Sequence, residues 1–204
     1  MNRLNSMLED RRIFFLNFFF SLILGALLIF NIAIDKSLAA NQNNSHHFLA
    51  FPIAAEASVG IPEHLIIPSL KINTAIEEVG LSSSGELEVP KKSDNVGWYQ
   101  LGPRPGEAGN AVIDGHLDTS DSAAVFWNLK KLKPGDEIDV LDGQGKKTAF
   151  KVDQLQSYNL TQAPMDQIFG ASDSANLNLI TCDGTWNEAM HTYTKRLVVY
   201  AEKM

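Results

Sequence analysis

The chain has 204 residues, of which 45% are hydrophobic and 20% charged, with a formal net charge of -7; that length suits one domain with a real core plus an appendage. Residues 1–36 hold Arg3, Arg11, Arg12 and Lys36 against Glu9, Asp10 and Asp35, so the remainder carries 13 basic and 21 acidic side chains. This balance argues against nucleic acid and against an anionic membrane surface as main ligand, because phosphate binding needs clustered Lys and Arg. A single cysteine, Cys182, excludes an internal disulfide and a cysteine-rich zinc site.

In chain order, residues 1–12 are polar and basic. Residues 13–34, "IFFLNFFFSLILGALLIFNIAI", form a run of 22 without a charge. As a helix this run spans about 33 Å, close to the ~30 Å hydrocarbon core of a bilayer. Arg3, Arg11 and Arg12 precede it and only Lys36 follows closely. The positive-inside bias then predicts a cytoplasmic N-terminus and an extracellular remainder, a single-pass protein of the cell membrane. The rival expectation is a cleaved signal peptide, since Ser37-Leu38-Ala39 resembles a small-residue cleavage site; against it, the run exceeds the usual ~7–15-residue signal core. Residues 35–60 are rich in Asn, Ala and Ser and read as a linker, within which His46 and His47 read as solvated rather than metal-binding.

From residue 61 to 204 the chain reads as one β-rich domain. Short apolar or alternating runs recur between turn signals: "HLIIP" (64–68), "TAIEEVG" (74–80), "ELEVP" (86–90), "NAVIDGH" (110–116), "DEIDVLD" (136–142), "TAFKVDQLQSY" (148–158), "LNLITC" (177–182) and "RLVVYAE" (196–202). That predicts about eight strands, with short helical turns at "AAVFWNLKKL" (123–132) and "APMDQIFG" (163–170). Closely spaced strands with short inserts favour an all-β, closed or nearly closed barrel over a parallel α/β sheet.

Cys182 ends one of these strands. A lone cysteine in an apolar strand is ordinarily a small buried hydrophobe. A free thiol facing an oxidising exterior is a liability unless used, however, and this one has candidate partners at similar strand ends. A cysteine nucleophile needs a proton acceptor, usually histidine. His116 ends "AVIDG" and precedes a polar loop, the same context as Cys182; if both strands run the same way, both side chains emerge at one rim. His191, in the polar stretch after the cysteine, is the rival base. An oxyanion needs donors, which a guanidinium supplies in a fixed fork. Arg196 is the only arginine after the cysteine, with Lys195 as its alternative.

His, then Cys about 65 residues later, then Arg 14 residues on, in a small anchored β-barrel, resembles a sortase. The motifs are "DGHLD" around His116, "LITC" ending at Cys182 and "RLVVYA" opening at Arg196. "LEVP", "VGWYQLGPRPGEAGNAVIDGHLD" and "AVFWNLKKLKPGDEI" are similar to class F and class E-like sortases. Asp183-Gly184 departs from the glycine pair of many class F members, and "TWNEAMHTYTK" is this chain's own.

The resemblance implies a closed eight-stranded barrel and a cysteine transpeptidase with His116, Cys182 and Arg196 as its catalytic residues. It implies cleavage of an LPXTG-like signal on secreted proteins through a thioacyl intermediate, and transfer to an amine from the cell wall or a pilin lysine. Ala163, Pro164, Ile168 and Thr181 are its candidate substrate-binding residues. No cofactor and no metal are implied by the residues. Two other readings remain: a wall-facing L,D-transpeptidase, whose arginine would follow the cysteine more closely than "TCDGTW" allows, and a non-enzymatic anchored β-domain with a buried thiol.

Overall fold

The computed structural model describes residues 58–204. The predicted cytoplasmic stretch, the anchor at 13–34 and the linker as far as residue 57 lie outside the described residues. What is described is a closed barrel of eight strands: β1 (Pro62–Ile67), β2 (Ile72–Val79), β3 (Val96–Tyr99), β4 (Gly109–Gly115), β5 (Glu137–Asp142), β6 (Lys147–Asn159), β7 (Ala175–Asn187) and β8 (Thr192–Lys203). Around the barrel the order is β1-β2-β3-β4-β7-β8-β6-β5, with β5 closing onto β1. Two neighbouring pairs are parallel, β2 with β3 and β4 with β7, and the others are antiparallel. One short helix, α1 (Met165–Phe169), lies in the β6–β7 connection, and 3₁₀ turns occupy Pro68–Leu70 and Leu129–Lys131. The helical turn expected at 123–132 is therefore realised only as turns and one 3₁₀ segment.

The strand count matches the sequence expectation with one exchange. "ELEVP" alternates like a strand but forms only a single bridge, Leu81 with Leu87. Its alternation has a local cause: Glu88 turns back so that its carboxylate accepts the Gly80 N–H, and Ser82 N–H bonds the Glu86 carbonyl. Pro90 then ends any ladder, having no N–H to donate. The eighth strand is instead β3, only four residues long and nearly all buried. Gly97 lies within it because a Cβ there would stand 2.6 Å from Asp114 Oδ1 and 2.8 Å from Val79. A strand this short with a central glycine carries little periodic signal.

Side chains alternate across the barrel wall, as strand geometry requires. On β4, β7 and β8 the inward set is Ala111, Ile113, Leu177, Leu179, Leu197, Val199 and Ala201, all in the main core with Leu65, Phe126 and Phe150. The outward set begins a second, smaller cluster of Val112, Ile180, Val198 and Tyr200, covered by Ile168 and Phe169 of α1. Cys182 and Arg196 lie on this outward parity, and His116 continues it past the end of β4.

Candidate active site

Register places the three candidate side chains in one row. In the parallel β4–β7 pair, Asp114 stands opposite Ile180. β4 ends at Gly115, whose carbonyl accepts the Thr181 hydroxyl, so His116 leaves β4 at the level where Cys182 follows Thr181 on β7. Across the antiparallel β7–β8 pair, Cys182 stands directly opposite Arg196. Neighbouring strands lie about 4.8 Å apart and paired residues share a face, so the thiol and the guanidinium are direct neighbours, and the histidine continues the row from the adjoining strand end. The parallel orientation of β4 and β7 is what lets two strand ends meet there.

Each of the three is held from a different direction. His116 Nε2 lies 3.0 Å from the Pro90 carbonyl. A carbonyl only accepts, so Nε2 carries the hydrogen and Nδ1 keeps the lone pair for proton exchange. The Arg196 guanidinium donates to the Tyr193 and Lys195 carbonyls through Nη1, at 3.1 and 2.9 Å, and to Thr192 Oγ1 through Nη2, at 3.0 Å. Three of its five N–H donors are thus spent on its own strand, which fixes the fork and leaves Nε–H and one Nη2–H for a ligand. Cys182 is half-buried and unpaired with any other cysteine. Burial pushes its thiol up, Arg196 draws it down, and the carboxylates of Asp118 and Asp114 push it up again. The thiol therefore keeps its proton at neutral pH until a base takes it.

Directly after Cys182 the strand bends. Pairing between β7 and β8 shifts register between Asp183 and Trp186, and Gly184 adopts a left-handed φ of 85°. A side chain there would also meet Thr194 Oγ1 at 2.5 Å. Such a bulge re-aims the strand locally, and the hairpin beyond it continues through the Trp186–Tyr193 edge-to-face pair at 5.5 Å. The stretch expected to be a loop after the cysteine is thus the far half of a long β7–β8 hairpin. His191, the rival base, sits exposed at its tip with a φ of 48°.

Two cavities adjoin the row and share no lining residue. The larger, about 1230 Å³, runs from Arg196 between Leu81, Leu87, Tyr99 and Phe169, with His191 at its edge. The smaller, about 230 Å³, contains Cys182 itself with Thr181, Asp118, Trp127 and Tyr193. Of the candidate substrate residues, Ala163 and Ile168 pack into the outer apolar cluster, Ile168 at 2% exposure. Pro164 precedes α1. None of these three lines the large cleft; Met165 and Phe169 of the same segment do. Thr181 faces inward at 3% exposure and donates its hydroxyl to the Gly115 carbonyl at 2.7 Å, tying β7 to the end of β4 immediately before His116.

The structure also brings in residues that the sequence reading passed over. Asp114 lies on the outward face two residues before His116, is 6% exposed, and its Oδ1 has no hydrogen-bond partner. Burial pushes its carboxyl up to about 7. Asp118, two residues after His116, accepts a 2.5 Å hydrogen bond from Tyr193 on β8. That bond, then burial and the charges of Asp118 and Cys182, push the Tyr193 phenol up to about 12. The sequence signal for Asp118 was its place within "HLD"; Asp114 hid inside an apolar run.

The sortase domain family matches residues 65–204, the barrel from β1 to its end. Among solved structures the chain is similar to sortase C-1 from Actinomyces oris at 24% identity and a TM-score of 0.53, covering 69% of this chain and 72% of that one. It is similar to a lid mutant of sortase A from Corynebacterium diphtheriae at 22% identity and a TM-score of 0.54, covering 73% of each. A pilus-related sortase C of Group B Streptococcus gives 22% identity and 0.53 over 73% of this chain and 69% of that one. No curated protein sequence matches the chain. The structural likeness establishes the barrel, and the family match extends over both cavities and all three residues of the row. With its one cysteine in that row, the chain belongs to the sortase family of cysteine transpeptidases.

Proposed function

We propose that this enzyme is anchored by residues 13–34 with its barrel outside the cell, and that it cleaves an LPXTG-like signal on secreted proteins and transfers the product to an amine. The observation that carries the reading is the Cys182–Arg196 register pair, with His116 just past the end of the strand that runs parallel to β7. The motif likeness quoted above supports placing the enzyme near classes F and E.

In this reading Cys182 gives its proton to His116 Nδ1, and the thiolate attacks the carbonyl carbon of the Thr–Gly bond. The tetrahedral oxyanion is held by the two uncommitted Arg196 N–H groups. As the C–N bond breaks, the imidazolium protonates the leaving amine, and a thioacyl enzyme remains. An incoming neutral amine attacks the thioacyl carbon, gives its proton to His116, and expels the Cys182 thiolate. Water in place of the amine yields hydrolysis. The Arg196 end of the large cleft suits the signal, whose apolar side chains would lie against Leu81, Leu87, Tyr99 and Phe169. The 163–170 segment supports that wall from behind through Ala163 and Ile168, with Pro164 opening the helix that carries Ile168, and Thr181 positions the β7 end that carries Cys182.

The test is incubation of the full chain in mild detergent with an LPXTG-type peptide library and an amine. Products cut between Thr and Gly and joined to the amine support the reading; an uncut library overturns it.

A further inference from the structure

The small cavity beside Cys182 has a composition that the first half of the reaction does not explain. Its Asp118 carboxylate spends Oδ2 on the Tyr193 hydroxyl, and among the described residues its Oδ1 makes no hydrogen bond and pairs with no cation. Asp118 also raises the Cys182 thiol, which works against forming the attacking thiolate. A carboxylate that hinders the nucleophile is a cost while sulfur must become an anion. The cost vanishes once the sulfur is acylated and neutral, and from then on the carboxylate faces whatever enters next.

What enters next is an amine, which at neutral pH arrives as an ammonium. The cavity suits that cation. Trp127, 45% exposed, and Tyr193 bring aromatic rings to its lining, and ring faces attract ammonium groups. Its volume of about 230 Å³ falls below the ~300–1,000 Å³ of drug-sized sites, so it takes an amino group and its stem rather than a second peptide. The other charges lining it are Asp183, held by Ser157 at 2.5 Å, and Lys130, so the lining stays net negative. It shares no residue with the cleft of the first substrate, so donor and acceptor can be bound together.

We propose that this cavity is the acceptor subsite, in which Asp118 and Trp127 bind the incoming nucleophile as a primary ammonium beside the thioacyl sulfur; there it releases one proton to solvent, attacks as the neutral amine and gives its second proton to His116. The proposal rests on the thioacyl reading above. One ammonium can come from a peptide α-amine or from a lysine side chain, and the experiment separates the two.

The full chain is given a cleavable LPXTG-type peptide and one of three acceptors: triglycine, Nα-acetyl-lysine amide, or hydroxylamine, which is uncharged at neutral pH. The ratio of aminolysis to hydrolysis product is read by mass for wild type, Asp118→Asn, Asp118→Glu and Trp127→Ala. That ratio is set after acylation, so changes in the first step cancel. Asp118→Asn is expected to lower it about tenfold for at least one ammonium acceptor, the loss typical of one hydrogen bond to a charged group. Asp118→Glu restores part of it, Trp127→Ala lowers it about threefold, and hydroxylamine is affected less than either ammonium. The arm that falls identifies the source of the amine. An unchanged ratio with both ammonium acceptors, an equal fall with hydroxylamine, or a wild type that only hydrolyses the peptide would overturn the subsite. A wild type that leaves the peptide uncut would overturn the thioacyl reading itself.

Discussion

The two faces of strands β4, β7 and β8 differ more than any two regions of the barrel. Inward, Ala111, Ile113, Leu177, Leu179, Leu197 and Val199 form a closely packed apolar layer with hardly any exposure. Outward, the same strands carry Asp114, Cys182 and Arg196 beside Ile180 and Val198, with one buried oxygen lacking a partner and a thiol displaced from its ordinary range. The backbone ladder is common to both. One face supplies the free energy that keeps the ladder rigid, and the other uses that rigidity to hold groups that would not otherwise stay together.

The contrast predicts opposite behaviour on substitution. Cys182→Ala, on the outer face, should abolish turnover while changing stability by only about 1–2 kcal/mol, checked by product formation and chemical denaturation together. Retained cleavage would remove the thiol from the chemistry. His116→Ala should lose about 10²–10⁴ in rate, whereas His191→Ala, at the exposed hairpin tip, should lose little. The reverse ranking would move the base to the hairpin.

Leu179→Ala tests the inner face. It deletes a fully buried side chain and should cost about 2–5 kcal/mol of stability, with kcat/KM largely kept at temperatures where the variant is folded. A loss of activity without a loss of stability would show that the two faces are not separable.

Asp114 is where the outer face costs stability. Its carboxyl moves from an ordinary 3.8 to about 7 in the fold, so between those values the folded protein holds a proton that the unfolded chain releases. Stability should therefore fall as pH rises through that window, by up to about 4 kcal/mol. Asp114→Asn should flatten the fall and also lower the pH at which iodoacetamide alkylates Cys182, since the carboxylate raises the thiol. Denaturation curves and alkylation rates at a series of pH values check both, and identical curves for the two proteins would mean that Asp114 does not titrate there.

Much of this was legible in the sequence. β1, β2, β4, β5 and β6 follow apolar or alternating runs because burial on one or both faces writes itself into residue choice. His116, Cys182 and Arg196 stood out because each joins an apolar run to a polar stretch. β3 was hidden because Gly97 is chosen for its lack of a side chain against Asp114, which only a neighbouring strand reveals. The outer half of the β7–β8 hairpin was hidden because its polar residues are strands only through mutual pairing. Ala163, Pro164 and Ile168 were found as a segment, but helical turning in α1 sends Met165 and Phe169 to the cleft in their place. Asp118 and Tyr193 are 75 residues apart, and nothing in the spacing announces their bond.

The smallest kinetic effect expected in the row is at Arg196. Lysine keeps the charge but loses the fork that three backbone and side-chain bonds hold in place, so Arg196→Lys should lose at least about tenfold in kcat/KM, and Arg196→Ala more. Lys195 cannot compensate, because adjacent strand residues point to opposite faces. Equal turnover in wild type and Arg196→Ala, at matched thermal stability, would leave this arginine outside the chemistry.

The central claim is that Cys182 carries the acyl group between the two halves of the reaction. Mixing the full chain with an LPXTG-type peptide, quenching in acid and mapping the digest by mass tests it most directly. The account predicts a fragment containing Cys182 heavier by the acyl portion of the peptide, discharged by added amine and absent from Cys182→Ala. Peptide cleavage without that adduct, or an adduct on any other residue, would contradict it.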